Sequence, residues 1–466
     1  MKSLFQFTCL IFIVGCSSKH LALSEYEGLY EYENESELIM VAGPKRINLY
    51  AVINEARYPL RPSGKDIFIN NADIEIEFIR DAKNQIIGYR ENKNGIPEAN
   101  PIYSLLNPNV QSSSSIWVAK PLSSPENYTY KAPKKLNDGI PIRDLGVNSP
   151  LSQKLSKLTN DIYNGLYPNT HSILLFKNGA LVFEEYFYEF SQDKTHQQRS
   201  ATKTLMSILT GIAIDRKFIS TINEPILPYF KEYQGLKNVD EWKANITIKD
   251  LLTMQSGLDC NDWDPESPGN ESNMVFSNDW ARFMLDLRMK TKPGSSGSYC
   301  SGNVILMGRI IEKSSGRSLQ EFANKFLFSP LGIKHYSWDF RPDLSNTNNF
   351  VQAWLRPRDM MKIGMLLNEY GKYQQTQIVS RSWISSLIAA QSKIAKTEYG
   401  YFYWRREFYP DGVKAVQIPQ MSGNGGQKVI LLKEQNSIVV LTGGNYNKSS
   451  HTNEILAYYI LKGLAQ

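Results

Sequence analysis

Histidine is scarce in this chain of 466 residues, which carries five: His20, His171, His196, His335 and His451. No Gly-x-Ser-x-Gly elbow accompanies them, so a Ser-His-Asp hydrolase is disfavoured. Neither His-Glu-x-x-His nor a closely spaced His/Asp cluster occurs, which disfavours a zinc hydrolase. Cysteine is scarcer, with four residues; beyond the N-terminal segment only Cys260 and Cys300 remain, and metal binding needs more ligands than this pair offers. No metal or other cofactor is implied. Lysine and arginine never form a block, and the net charge of +6 is spread along the chain; no nucleic-acid partner follows from such a pattern. Internal repeats are missing, and no apolar run is long enough to span a bilayer.

The N-terminus has a short basic start, Met1-Lys2, and a mostly apolar run from Leu4 to Val14. These are the proportions of a signal peptide. Ile13-Val14-Gly15-Cys16 resembles a bacterial lipobox, which implies a signal over residues 1–15 and a lipid on Cys16, with 16–23 as a tether. Ser17 fits outer-membrane sorting, so the expected location is the cell envelope, with the membrane as partner through the N-terminal lipid. A plain secretory signal with a coincidental cysteine is the alternative. In an exported chain, Cys260 and Cys300 invite a disulfide, with two buried thiols as the other possibility.

Residues 24–106 read as β. Short apolar runs such as Ile47–Val52, Ile67–Ile69 and Ile74–Phe78 are separated by Gly43-Pro44, Pro62-Ser63-Gly64, Asn70-Asn71 and Asn84, as in a small barrel or sandwich. Residues 107–148, rich in Pro, Ser and Asn, read as a linker with one pairing segment at Ile116-Trp117-Val118. From 149 to 466 the pattern is α+β. A hairpin with an Asn178-Gly179 turn opens this domain, and strands at 428–432 and 437–441 close it, with helices between. The expected architecture is one antiparallel sheet flanked by helices, plus a mainly helical lobe.

Three segments carry chemistry. In Ser200-Ala201-Thr202-Lys203, a serine starts an apolar helical run and a lysine follows at i+3 on the same face. The ammonium lies beside the hydroxyl, and N–H groups at the helix N-terminus can bind an oxyanion. In Ser298-Tyr299-Cys300-Ser301-Gly302-Asn303, a tyrosine beside a lysine can shuttle protons, since the ammonium favours phenolate. Ser301 can bond substrate or Lys203. In Ser422-Gly423-Asn424-Gly425-Gly426-Gln427, glycines admit a substrate to the backbone, and the Gln427 N–H is a candidate second oxyanion donor.

This order of S-x-x-K, Y-x-S and a Gly-rich strand opening resembles the class C β-lactamase-like serine hydrolases, in particular the esterase and nylon-oligomer hydrolase branch. Leu251–Leu258, Gly302–Glu312, Phe328–Ile333 and Leu355–Met360 extend the resemblance over about residues 150–466. It implies Ser200 as nucleophile and Lys203 with Tyr299 as the acid/base pair, acting on a small ester, amide or peptide. Ser301 takes the place of the asparagine in Y-A-N, and Asn424, Gly425, Gly426 and Gln427 that of K-T-G and its following residue. The lysine that helps hold a β-lactam carboxylate is replaced by Asn424, which turns the expectation towards ester or amide hydrolysis. A cell-wall D-peptidase or weak β-lactamase, and an anchored non-catalytic binding protein, are the competing readings. Oligomeric state is not legible.

Overall fold

The computed structural model describes residues 22–32, 36–43, 46–53, 56–70, 73–92, 100–109, 119, 127–342, 351–409 and 415–465. The signal segment, Cys16, most of the tether and the Ile116–Val118 segment lie outside the described residues. Among the described residues, no helix is long and apolar enough to cross a membrane.

The chain forms two compact units. The N-terminal β region is a closed barrel of eight strands in sequential order, from Gly28–Tyr32 to Tyr103–Asn107. Closure comes from the last strand pairing antiparallel with the first, Leu29 with Asn107 and Tyr30 with Leu105. Of barrel and sandwich, the barrel is the one formed. Closing leaves no sheet edge exposed. Its interior holds Tyr26, Tyr30, Phe68, Phe78 and Tyr89, each at most 3% exposed, in edge-to-face contacts such as Tyr26 with Phe78 at 4.8 Å.

The second unit is built on an eight-stranded sheet. Its strands run in the order Ala180–Tyr186, Thr170–Lys177, Ser437–Gly443, Gln427–Leu432, Val416–Gly423, Trp404–Phe408, Thr397–Tyr399 and Ser392–Ile394. Asn178 and Gly179, at φ of 48° and 85°, make the tight turn that the Asn-Gly pair predicts. The C-terminal strand Ser437–Gly443 pairs with Thr170–Lys177, so the two ends of the domain close one antiparallel sheet.

Strand alternation gives the sheet two buried faces. Leu174, Phe176, Val429, Leu431, Ile438 and Val440 pack with the helices Thr202–Asp215, Ser301–Ser315 and Pro357–Asn368. Ile173, Leu175, Ile430, Leu432, Val439 and Leu441 pack with the helix Pro150–Tyr163 and the C-terminal helical segment. The helix Thr202–Asp215 is buried on nearly every side, which anchors the turn in front of it. Pro150–Tyr163 is capped by Ser149. Capping boxes start the helices at Thr247/Asp250 and Ser318/Glu321.

Candidate active site

Ser200 does not cap the helix that follows it. The α-helix begins at Thr202, and Arg199–Ala201 form a single 3-10 turn ahead of it. Arg199 has φ of 49°, a left-handed conformation that a side chain disfavours. The Gln198 N–H donates to the Ala353 carbonyl at 2.8 Å, and the Ala353 N–H donates to Thr202 Oγ1 at 3.1 Å. These bonds pin the turn from both ends and leave Ser200 half-buried.

Lys203 is 5% exposed. Its Nζ donates to Ser200 Oγ at 3.2 Å and lies 5.0 Å from the Tyr299 ring centroid. Burial opposes its charge, but Tyr299, Glu271 and Asp262 outweigh burial and hold the ammonium above the ordinary lysine pKa. Lys203 therefore rests protonated, as a donor to the Ser200 hydroxyl.

Tyr299 is placed by the segment around it. Cys260 and Cys300 form a disulfide, joining the loop Cys260–Ser272 to the start of the helix Ser301–Ser315. Beside it, Ser298 Oγ donates to the Cys260 carbonyl at 2.6 Å, and the Asp262 N–H donates to the Tyr299 carbonyl at 2.8 Å. Trp263 stacks on Tyr299 at 5.3 Å, and Trp404 does so at 5.5 Å. Trp404 closes the aromatic run Tyr399–Trp404, whose members are all at most 5% exposed, apart from Gly400. That run is core, with one ring reaching the site.

Ser301 departs from the expected role. Its hydroxyl donates to Glu271 Oε2 at 2.6 Å, and its N–H donates to Asp262 Oδ2 at 2.6 Å. The Glu271 N–H donates to Asp262 Oδ1 at 3.1 Å. Burial, and then the charge of Glu271, push Asp262 up to about 6 against the pull of Lys203. The hydroxyl is thus committed to Glu271 rather than to Lys203. Neither Asp262 nor Glu271 stands out in the sequence motifs. The signal available was the cysteine pair, which ties their loop to Tyr299.

The third motif is a hairpin rather than a simple strand opening. Val416–Gly423 ends at Gly423, Asn424–Gly426 turn, and Gln427–Leu432 returns, with Gly423 opposite Gln427. Gly425 and Gly426 take φ of 88° and 106°, which glycine alone adopts easily. Gly423 packs on the nucleophile turn: a Cβ there would sit 2.2 Å from the Gln198 carbonyl oxygen. Gln427, whose backbone N–H is the expected oxyanion donor, opens the next strand fully buried, with its side-chain Nε2 donating to the Gly443 carbonyl at 2.5 Å. Asn424 does not stand as a free substitute for lysine. Its side chain donates to Asn447 Oδ1 at 2.7 Å and accepts from the Asn447 N–H at 2.9 Å.

The histidines lie elsewhere. His171 stacks on Phe190 at 3.7 Å, and His196 Nε2 meets Thr442 Oγ1 at 3.2 Å. Both are fully buried, and burial drives both towards the neutral form, His196 to about 3.

Comparison with known proteins matches this fold. Residues 170–459 match the Beta-lactamase family model. The 6-aminohexanoate-dimer hydrolase of Paenarthrobacter ureafaciens is 24% identical over 249 residues, which is 50% of this chain and 60% of that protein. Thus the match spans less than two thirds of the relative's own length. A penicillin-binding protein homologue from Caulobacter crescentus superposes with a TM-score of 0.53 at 12% identity, over 67% of this chain and 97% of the other. A family VIII carboxylesterase also gives 0.53, at 13% identity, over 67% and 97%. With the S-x-x-K turn, the tyrosine beside its lysine and the sheet that carries them in place, the chain is a member of the Beta-lactamase family.

Proposed function

We propose that the chain transfers an acyl group from an ester or amide to Ser200 and then to water. The observation that carries this reading is the 3.2 Å contact of Lys203 Nζ with Ser200 Oγ, beside the buried ring of Tyr299. Lys203, held as an ammonium, orients the hydroxyl beside Tyr299. Tyr299 then takes the Ser200 proton as Oγ attacks the carbonyl carbon. The oxyanion accepts from the Ser200 N–H. Because Gly423 packs on the nucleophile turn, the second donor in this reading is the N–H of Asn424, not that of Gln427. Tyr299 returns the proton to the leaving group. It next deprotonates water, which attacks the acyl carbon and frees Ser200. The Paenarthrobacter relative, named for hydrolysis of a 6-aminohexanoate dimer, supports amides beside esters as substrates.

The test is a fluorophosphonate probe and an activated ester, applied to the purified chain and to Ser200→Ala. Labelling mapped to Ser200 by mass spectrometry, with hydrolysis lost in the variant, is the expected result. Folded protein that takes no label, or a variant that hydrolyses the ester unchanged, overturns the reading.

A further inference from the structure

Asn424 has glycine on both sides, Gly423 before it and Gly425-Gly426 after it. Glycine restrains the backbone little, so the direction of the Asn424 N–H has to be set from outside the hairpin. The segment that follows the strand Ser437–Gly443 does this. The Asn445 N–H donates to the Gly425 carbonyl at 3.0 Å. Asn424 Nδ2 donates to Asn447 Oδ1 at 2.7 Å, and the Asn447 N–H donates to Asn424 Oδ1 at 2.9 Å. That pair of bonds needs a donor and an acceptor on one short side chain. Asparagine has both, whereas a lysine at 424 would have nothing to accept the Asn447 N–H. Asn447 takes φ of 56°, a left-handed conformation that asparagine tolerates.

Tyr446 reaches the other half of the oxyanion site. Its buried ring lies against Gly425, where a Cβ would sit 2.7 Å from Tyr446 Cε1. The Arg199 guanidinium lies over the same ring, 4.6 Å from its centroid. Arg199 is the left-handed residue immediately before Ser200. One ring therefore touches both the turn that carries Ser200 and the hairpin that carries Asn424. The segment behind it is anchored to the sheet. Asn445 Nδ2 donates to the Pro168 carbonyl at 3.0 Å, and the Gly444 N–H donates to the Asn169 carbonyl at 2.8 Å. Pro168 and Asn169 lead directly into the strand Thr170–Lys177.

We propose, on the reading of Ser200 as nucleophile with the Asn424 N–H as second oxyanion donor, that Asn447 and Tyr446 are positioning residues that hold the two donors in register. Asn447 fixes the Asn424 peptide through the paired amide bonds, and the Tyr446 ring sets the spacing between hairpin and nucleophile turn. Asn424 then serves the site through its backbone, and its side chain serves the clamp. A donor that is held in place ahead of the reaction stabilises the oxyanion without reorganisation, so the clamp acts on kcat rather than on substrate binding.

The test measures kcat and KM for an activated ester, with the unfolding midpoint, in the full chain and in Asn447→Gly, Asn424→Ala and the double variant. Glycine suits the backbone at 447 and removes only the side-chain acceptor, while alanine at 424 keeps the N–H. Each single variant is expected to lower kcat by about 10-fold, with KM within about threefold and a near-normal midpoint. The double variant should be no worse than either single one, because each removes the same link. Tyr446→Ala should also lower kcat by about 10-fold, and Tyr446→Phe, which keeps the ring, should restore most of that loss. An unchanged kcat in Asn447→Gly, losses that multiply in the double variant, or a raised KM at constant kcat overturns the clamp. A full chain that neither labels at Ser200 with fluorophosphonate nor turns over the ester overturns the nucleophile and the clamp together. An active full chain whose variants match it overturns the clamp alone.

Discussion

Ser301 Oγ and Glu271 Oε2 lie 2.6 Å apart, and this bond holds an acidic side chain next to the machinery of Ser200 and Lys203. Glu271 raises the pKa of both Lys203 and Asp262, which burial and Glu271 place at about 6. Glu271→Gln removes that negative charge, so both groups release their protons at lower pH. The kcat/KM profile of an activated ester is expected to move to lower pH on both limbs. The acid limb reports Asp262, and the alkaline limb reports loss of the Lys203 proton. A reduced but unmoved profile in Glu271→Gln would show that the bond is only structural.

The Cys260–Cys300 bridge joins the loop that carries Asp262 and Trp263 to the segment that carries Tyr299. It spans 40 residues of sequence, and closing a loop of that order stabilises by about 2–4 kcal/mol. Cys260→Ser with Cys300→Ser is expected to lower the midpoint of denaturant unfolding without changing its slope. Activity should fall further than stability alone requires, because the stack of Trp263 on Tyr299 loses its tie. Equal activity per folded molecule in the double variant would separate the bridge from catalysis.

Local chemistry made part of this legible in advance. The turn at Asn178-Gly179 and the capping boxes at Thr247 and Ser318 depend on residues within a few positions of one another. The pairing of Ser200 with Lys203 is of the same kind, a matter of one helical turn. Gly423 is different, because its place depends on how neighbouring strands register side by side. Nothing within the hairpin Ser422–Gln427 says that Gly423 packs on the nucleophile turn while Gln427 is buried one strand away. Glu271 was illegible for the same reason: a bridge and two hydrogen bonds bring it to Ser301 across 30 residues.

Tyr299 and Lys203 should fail differently. Tyr299→Phe keeps the stacked ring but removes the group that moves the proton, and a loss of about 10²–10⁴-fold in kcat is expected. Lys203→Met removes the ammonium that donates to Ser200 Oγ. It should abolish turnover and also slow fluorophosphonate labelling, whereas Tyr299→Phe should label slowly and then hold the acyl-enzyme, since deacylation needs the same proton carrier. Intact-protein mass spectrometry after mixing with an activated ester distinguishes these outcomes. Rapid deacylation in Tyr299→Phe would assign the base to another group.

Gly423 is the tightest contact between the sheet and the nucleophile turn. A methyl group added there would meet the Gln198 carbonyl oxygen at 2.2 Å and the Arg199 Cβ at 3.2 Å. The first is a backbone atom already fixed by the bond from the Gln198 N–H to Ala353, so it cannot move aside as a flexible side chain does. The strand end and the turn must therefore separate in Gly423→Ala. Separation of a few tenths of an ångström leaves the buried sheet intact but pulls the Asn424 N–H away from the oxyanion position, where loss of one donor is worth about 10²–10³-fold in kcat. The expected phenotype is a folded protein with a near-normal unfolding midpoint, a KM within about threefold of wild type and a kcat lower by two orders of magnitude. Gln427→Ala removes a buried side-chain bond to Gly443 instead and should lower stability ahead of kcat. An unchanged kcat in a folded Gly423→Ala would place the second oxyanion donor away from Asn424.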